Sequence, residues 1–166
     1  MKFFSLMFCC LFASTVLFAQ NDTWPSATIK DLNGAPVDVQ KYAQNNKNTI
    51  ISFWATWCIP CKKELDAIAE MYPDWVEDYN VELVAISVDN ARSLSKVKPL
   101  VNAKNWEYEI LSDANQDLMR ILNFQTVPYT FLLDESGKIV YEHTGYLSGD
   151  EYELEDKLKE LSEKNK

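Results

Sequence analysis

The sequence predicts one α/β domain: a central mixed β-sheet flanked by helices, with an N-terminal β-hairpin and an inserted helix-strand segment. Three observations carry this. "NTIISFWA", residues 48–55, is rich in β-branched and aromatic side chains, the makeup of a buried strand. It runs through a short motif into "CKKELDAIAEMY", where Leu65, Ile68, Ala69 and Tyr72 recur three and four positions apart, as one helix face requires. "VELVAISVD", residues 81–89, is a second buried strand, and strand, helix, strand in this order implies a parallel right-handed crossover.

The flanking elements follow the same logic. "ATIKDLNGAPVDV" reads as two strands joined by an Asn-Gly turn at Asn33 and Gly34. The segment "NARSLSKVKPLVNAKNWEYEILS" reads as the inserted helix and short strand, followed by a helical "DANQDLMRILNF". "VPYTFLLDESGKIVYEHTGY", residues 127–146, reads as a hairpin. Leu154, Leu158 and Leu161 mark one face of a closing helix. At 166 residues and 47% hydrophobic, the chain suffices for the core of one ordinary domain.

Residues 1–19 resemble a secretory signal peptide: Lys2, then an apolar run to Ala19, then the polar exit "QNDT". The domain proper is thus expected over 20–166, outside the cytoplasm. A retained membrane anchor is the competing reading, since the run is near the lower length for spanning a bilayer. A lipoprotein signal fits poorly because Phe8, not a small residue, precedes Cys9.

Removal of that segment takes Cys9 and Cys10 with it and leaves Cys58 and Cys61. Exported thiols tend to be oxidised. A disulfide closing so short a loop removes little unfolded-state entropy, so stapling is a weak reason for the pair. A closed zinc site wants about four Cys or His ligands, and beyond the pair the chain has one histidine. No metal is therefore expected, and His143, in an alternating strand, reads as an exposed strand residue. Pro60 suits the first turn of the helix, which puts Cys58 at the helix N-terminus. Unpaired N–H groups and the dipole favour a thiolate there, making Cys58 the candidate nucleophile. Cys61, one turn further in, is the candidate resolving thiol.

"FWATWCIPCKKE", residues 53–64, and the segment 127–146 together resemble the two signatures of exported thioredoxin-fold thiol-disulfide oxidoreductases, the TlpA/ResA-like family. The inserted segment is similar to that family's layout too. The resemblance implies a thioredoxin fold and a redox-active Cys58–Cys61 disulfide with no separate cofactor. It implies a cis Val127–Pro128 bond that presents the Val127 backbone to substrate, and a docking surface of Trp57, Ile59 and Pro60 around the cysteines. Trp54 fits a core role better.

Two departures from the pattern matter. Thioredoxins carry an aspartate where this chain has Ser52, which cannot accept a proton near neutral pH. Glu64, in "CKKE", is similar to a glutamate of the ResA-like proteins. It is expected to act as a proton relay for Cys61, its pKa raised by partial burial; a solvated helix glutamate is the plain alternative. Between the cysteines, Ile59 stands where strong oxidants of this fold place a histidine. Without that donor the reduced form is less stabilised, which predicts a reductant.

The formal net charge of −9 argues against nucleic acid or anionic lipid as partners. The expected partners are disulfide-containing exported proteins, with a membrane thiol carrier as electron donor; oligomeric state is left open. The leading function is protein-disulfide reduction, with a role in cytochrome c maturation suggested by the resemblance. A disulfide oxidant or isomerase is the first alternative. A peroxiredoxin is another, although its PxxxTxxC pattern is not met: Thr56 lies two positions before Cys58, and only Arg92 and Arg120 offer its arginine. A metal-carrier or binding module ranks last.

Overall fold

The computed structural model describes residues 23–164; the signal-peptide reading of residues 1–19 lies outside them. Seven strands form one sheet: β1 Thr28–Asp31, β2 Pro36–Asp38, β3 Asn48–Trp54, β4 Val81–Ser87, β5 Glu109–Ser112, β6 Tyr129–Leu133 and β7 Ile139–Thr144. Their spatial order is β2-β1-β5-β4-β3-β6-β7. β3, β4 and β5 run parallel while every other neighbouring pair is antiparallel, so the sheet is mixed. The helices are α1 Ile59–Tyr79, α2 Val97–Lys104, α3 Asp117–Ile121 and α4 Asp150–Lys164. Among the described residues no helix is long and apolar enough to cross a membrane.

The predicted insertion is α2 followed by β5. β5 lies between β4 and β1, so the added strand ties the N-terminal hairpin to the core. That hairpin forms as expected, but its turn is longer than an Asn-Gly pair. Asp31 N–H donates to Ala35 O over 2.9 Å and Gly34 N–H to Asp31 O over 3.1 Å. The loop therefore holds three residues, with Gly34 at φ +88°, a conformation that glycine adopts without a Cβ penalty.

β3 is central and every one of its seven residues is buried. Its alternate residues serve two layers. Phe53 packs against Phe124 and Phe131 with ring centroids 4.8 and 6.1 Å apart, and Trp24 closes on Phe131 at 5.7 Å. On the other face Trp54 meets Trp106 edge to face at 5.1 Å; Trp54 is fully buried, as expected.

α1 covers that second face through buried Leu65, Ile68 and Trp75, each worth about 2–3 kcal/mol of apolar burial. The periodicity predicts a helix to about Tyr72, yet α1 continues through Pro73 to Tyr79. Pro73 is exposed, whereas the carbonyl that loses its helical donor belongs to Ala69, which packs partly against the core. Beyond it Trp75 is fully buried and donates Nε1–H to Glu155 of α4 over 3.0 Å. Tertiary packing overrides the local break. Leu154 and Leu158 of α4 are buried and Leu161 packs against the core, as their spacing predicts.

Candidate active site

Asp89, fully buried just beyond the end of β4, fixes the loop between β3 and α1. Its carboxylate accepts Thr56 N–H, Thr56 Oγ1–H and Ser87 Oγ–H. The loop then hands over to α1 at Cys58, whose extended backbone (φ −85°, ψ 106°) makes it the N-cap residue. Its Sγ accepts the Cys61 N–H over 3.2 Å. The sulfur thus occupies the place where a capping oxygen usually sits, at the positive end of the helix dipole.

Cys58 and Cys61 form a disulfide with Cα atoms 5.4 Å apart. The two sulfurs are not equivalent to solvent: Cys58 retains 4% exposure and Cys61 none. The Val127–Pro128 peptide is cis, as the resemblance implies, and Val127 O lies 3.7 Å from Cys58 Sγ. The loop is pinned to β7, because Gly145 N–H donates to Pro128 O over 2.9 Å. Trp57 and Ile59, each 65% exposed, and the exposed Pro60 form an apolar rim around Cys58. All five expected docking residues therefore come together with the cysteines.

Glu64, one turn after Cys61 on α1, is 1% exposed. This overturns the solvated-glutamate alternative and exceeds the partial burial expected. Its Oε1 accepts from Thr130 Oγ1 at 2.6 Å and is 3.0 Å from His143 Nε2. Its Oε2 has no hydrogen-bond partner among the described residues. Ser52 sits below in β3, fully buried, its hydroxyl likewise unpartnered there. The cross-strand register explains the gathering: Ser52 is opposite Thr130, and Thr130 is opposite His143. The three side chains make one polar row on the face that α1 covers. Tyr108 adds a wall, its hydroxyl donating to Leu65 O; burial, reinforced by the Asp66 and Glu64 charges, pushes that phenol upward and keeps it neutral.

His143 corrects the sequence reading. Expected as an exposed strand residue, it has only 15% of its side chain exposed and is paired with Glu64. The signal was the parity of β7: Ile139, Tyr141 and His143 share the half-buried face, while Val140, Glu142 and Thr144 face out. Asp89 and Thr130 were also missed: Asp89 stands in no motif, and Thr130, although within the 127–146 segment, gains its role only from facing Glu64. Among the described residues no group of three or more His, Cys, Asp or Glu side chains is arranged to hold a metal ion.

The arrangement is suited to thiol chemistry. A sulfur at a helix N-terminus can leave or attack as thiolate, a second sulfur can displace it, and a buried carboxylate lies one turn from the second.

The sequence profile of the AhpC/TSA family matches residues 21–142. A curated relative, thiol-disulfide oxidoreductase ResA of Bacillus thuringiensis, is 28% identical over 138 residues, covering 83% of this chain and 76% of its own. Among solved structures, an uncharacterized thioredoxin-like protein from Porphyromonas gingivalis is 44% identical with a TM-score of 0.76, covering 86% of this chain and 93% of its own. StoA from Bacillus subtilis is 26% identical with a TM-score of 0.63, covering 80% and 97%. A profile match over most of its length makes this chain a member of the AhpC/TSA family, and its fold and relatives make it a thioredoxin-like thiol-disulfide oxidoreductase of the ResA/TlpA type.

Proposed function

We propose that this protein reduces disulfides of exported proteins outside the cytoplasm, with Cys58 as the nucleophile, Cys61 as the resolving thiol and Glu64 as proton acceptor for Cys61. The observation that carries the reading is the asymmetry of the pair: Cys58 is the slightly exposed N-cap beside the Val127 carbonyl, and Cys61 is fully buried one turn above a buried carboxylate.

In the reduced enzyme the Cys58 thiolate attacks one sulfur of a substrate disulfide; that S–S bond breaks, one substrate thiolate leaves, and a mixed disulfide forms. Cys61 gives its proton to Glu64 and attacks Cys58 Sγ. The Cys58–Cys61 bond forms as the second substrate thiolate leaves, and both substrate thiolates take protons from water. Two electrons pass from the dithiol to the substrate, so a membrane thiol carrier must return them. Trp57, Ile59 and Pro60 dock apolar substrate side chains, and the Val127 backbone before Pro128 pairs with an extended substrate segment.

The reducing direction rests on Ile59, which offers Cys58 no hydrogen-bond donor or charge. The apolar run ending at Ala19 supports export, and apocytochrome c, with its paired haem-attachment cysteines, is a fitting substrate class.

The test is the reduction potential of the Cys58–Cys61 couple in graded thiol buffers, followed by tryptophan fluorescence. A value below about −230 mV supports a reductant, and one above about −180 mV overturns it in favour of an oxidant or isomerase. Cys61→Ser should accumulate a mixed disulfide through Cys58, and accumulation in Cys58→Ser instead would reverse the two roles.

A further inference from the structure

Glu64 has a partner that the thiol exchange above does not use. His143, the single histidine of the chain, reaches across from β7 to place Nε2 3.0 Å from Glu64 Oε1. Thr130 Oγ1 donates to that same oxygen. Two donors therefore converge on Oε1 while Oε2 has none among the described residues.

The tautomer follows from hydrogen-bonding capacity. With Glu64 ionised, as a proton acceptor must be, it only accepts, so the hydrogen in the 3.0 Å contact belongs to Nε2. Nδ1 is buried and has no partner among the described residues. In this tautomer it is a bare lone pair, which is less costly to bury than an unpaired N–H. The carboxylate side chain is 2% exposed against 15% for the imidazole.

We propose that His143 is a positioning residue for the resolving step: it holds Glu64 by Oε1 and leaves Oε2 free to take the Cys61 proton. The proposal rests on the reading of Glu64 as the proton acceptor.

The phenols around the pair bring it no charge. Tyr141, on the same strand with its ring 5.7 Å from the imidazole, is pushed up to about 12 by burial and then by Glu153 of α4, with Asp150 and Glu64 adding to it. Tyr146, bonded to Glu151 before and within α4, is pushed upward by burial and by that carboxylate. Tyr108 behind Glu64 is pushed upward by burial too. All three phenols stay neutral through the neutral range. From β6 only the uncharged Thr130 faces the pair, which leaves His143, Glu64 and the reduced cysteines.

The test is single-turnover release of thionitrobenzoate from its mixed disulfide with Cys58, followed from about pH 5 to 9 in the full-length protein. Glu64→Gln should slow release about a hundredfold, the low end for general acid–base catalysis. His143→Phe should slow it about tenfold. His143→Gln, which restores a donor to Glu64, should recover to within about threefold of wild type. The Glu64→Gln/His143→Phe double variant should be no slower than Glu64→Gln alone.

Wild-type rate in both His143 variants, with Glu64→Gln still slow, would overturn the inference and spare the role of Glu64. A wild-type Glu64→Gln would end both. Should His143→Phe fold poorly, the imidazole resonances of wild type decide: they are unique in the chain, should move between the dithiol and disulfide forms, and should lose that movement in Glu64→Gln. Resonances blind to redox state would overturn the proposal.

Discussion

Thr56 hangs from Asp89 at two points: its N–H donates to Oδ2 over 2.7 Å and its hydroxyl to Oδ1 over 2.6 Å. The residue two before the first cysteine is thereby anchored to the end of β4, a neighbouring strand of the sheet. Neither partner touches a sulfur, yet together they decide where α1 begins.

Asp89→Ala should therefore cost stability and precision at once. It removes the acceptor from one backbone and two hydroxyl donors in a fully buried position, and a buried donor left unpaired costs about 1–3 kcal/mol. Urea unfolding of oxidised protein should show a loss of about 2–4 kcal/mol with little change in slope. A loss below about 0.5 kcal/mol would mean that the loop holds itself.

How far the fold was legible shows in two neighbouring stretches. β3 and the first half of α1 were readable because a run of apolar β-branched residues and a 3.6-residue stripe are local signals. The second half of α1 was not, because Pro73 is a local stop signal and Trp75 is buried only by the arrival of α4. The site divides in the same way. Cys58, Cys61 and Pro128 stand in motifs, and Glu64 was legible through the similarity of "CKKE" to the ResA-like pattern. Thr130 and His143 were not, since their roles arise from the register that sets Thr130 opposite Ser52 and His143 opposite Thr130. Only the parity of β7 hinted that His143 faces inward.

Pro73 yields a prediction of its own. Its ring is exposed and removes the helical hydrogen bond to the Ala69 carbonyl. Proline in a helix interior costs about 3 kcal/mol relative to alanine, of which about 1 kcal/mol is returned by restricting the unfolded chain. Pro73→Ala should raise unfolding stability by about 1–2 kcal/mol and leave the thiol-exchange rate unchanged. A destabilised variant would show that α1 depends on the shape the proline imposes.

Glu151 makes acid sensitivity local to the start of α4. Burial pushes its carboxyl up, but the Tyr146 hydroxyl and the backbone N–H groups of Glu151 and Gly149 outweigh that and hold it below its usual 4.5. A carboxylate depressed in the folded state stabilises the protein above its unfolded value, and that contribution is lost as pH falls through the folded one. Tyr146→Phe should lower the melting temperature at pH 7, and its gap to wild type should narrow below about pH 4.5. A gap constant from pH 7 to 3, measured by circular dichroism, would assign the effect to packing of the ring instead.

Ile59 is where the direction of electron flow is most exposed to test. It is 65% exposed, occupies the first helical position after Cys58, and presents only carbon toward the sulfur. A histidine there adds a donor and, when protonated, a positive charge beside the Cys58 thiolate. Either stabilises the dithiol form relative to the disulfide, and 1.4 kcal/mol of such stabilisation corresponds to about 30 mV for a two-electron couple. Ile59→His should raise the reduction potential by about 30–60 mV while thermal stability of the oxidised form changes little, because the site faces solvent. Equilibration of both proteins in the same thiol buffers reads the difference directly. If the two potentials coincide, the residue between the cysteines does not set the poise, and the helix N-terminus and the Val127 carbonyl are left to account for it.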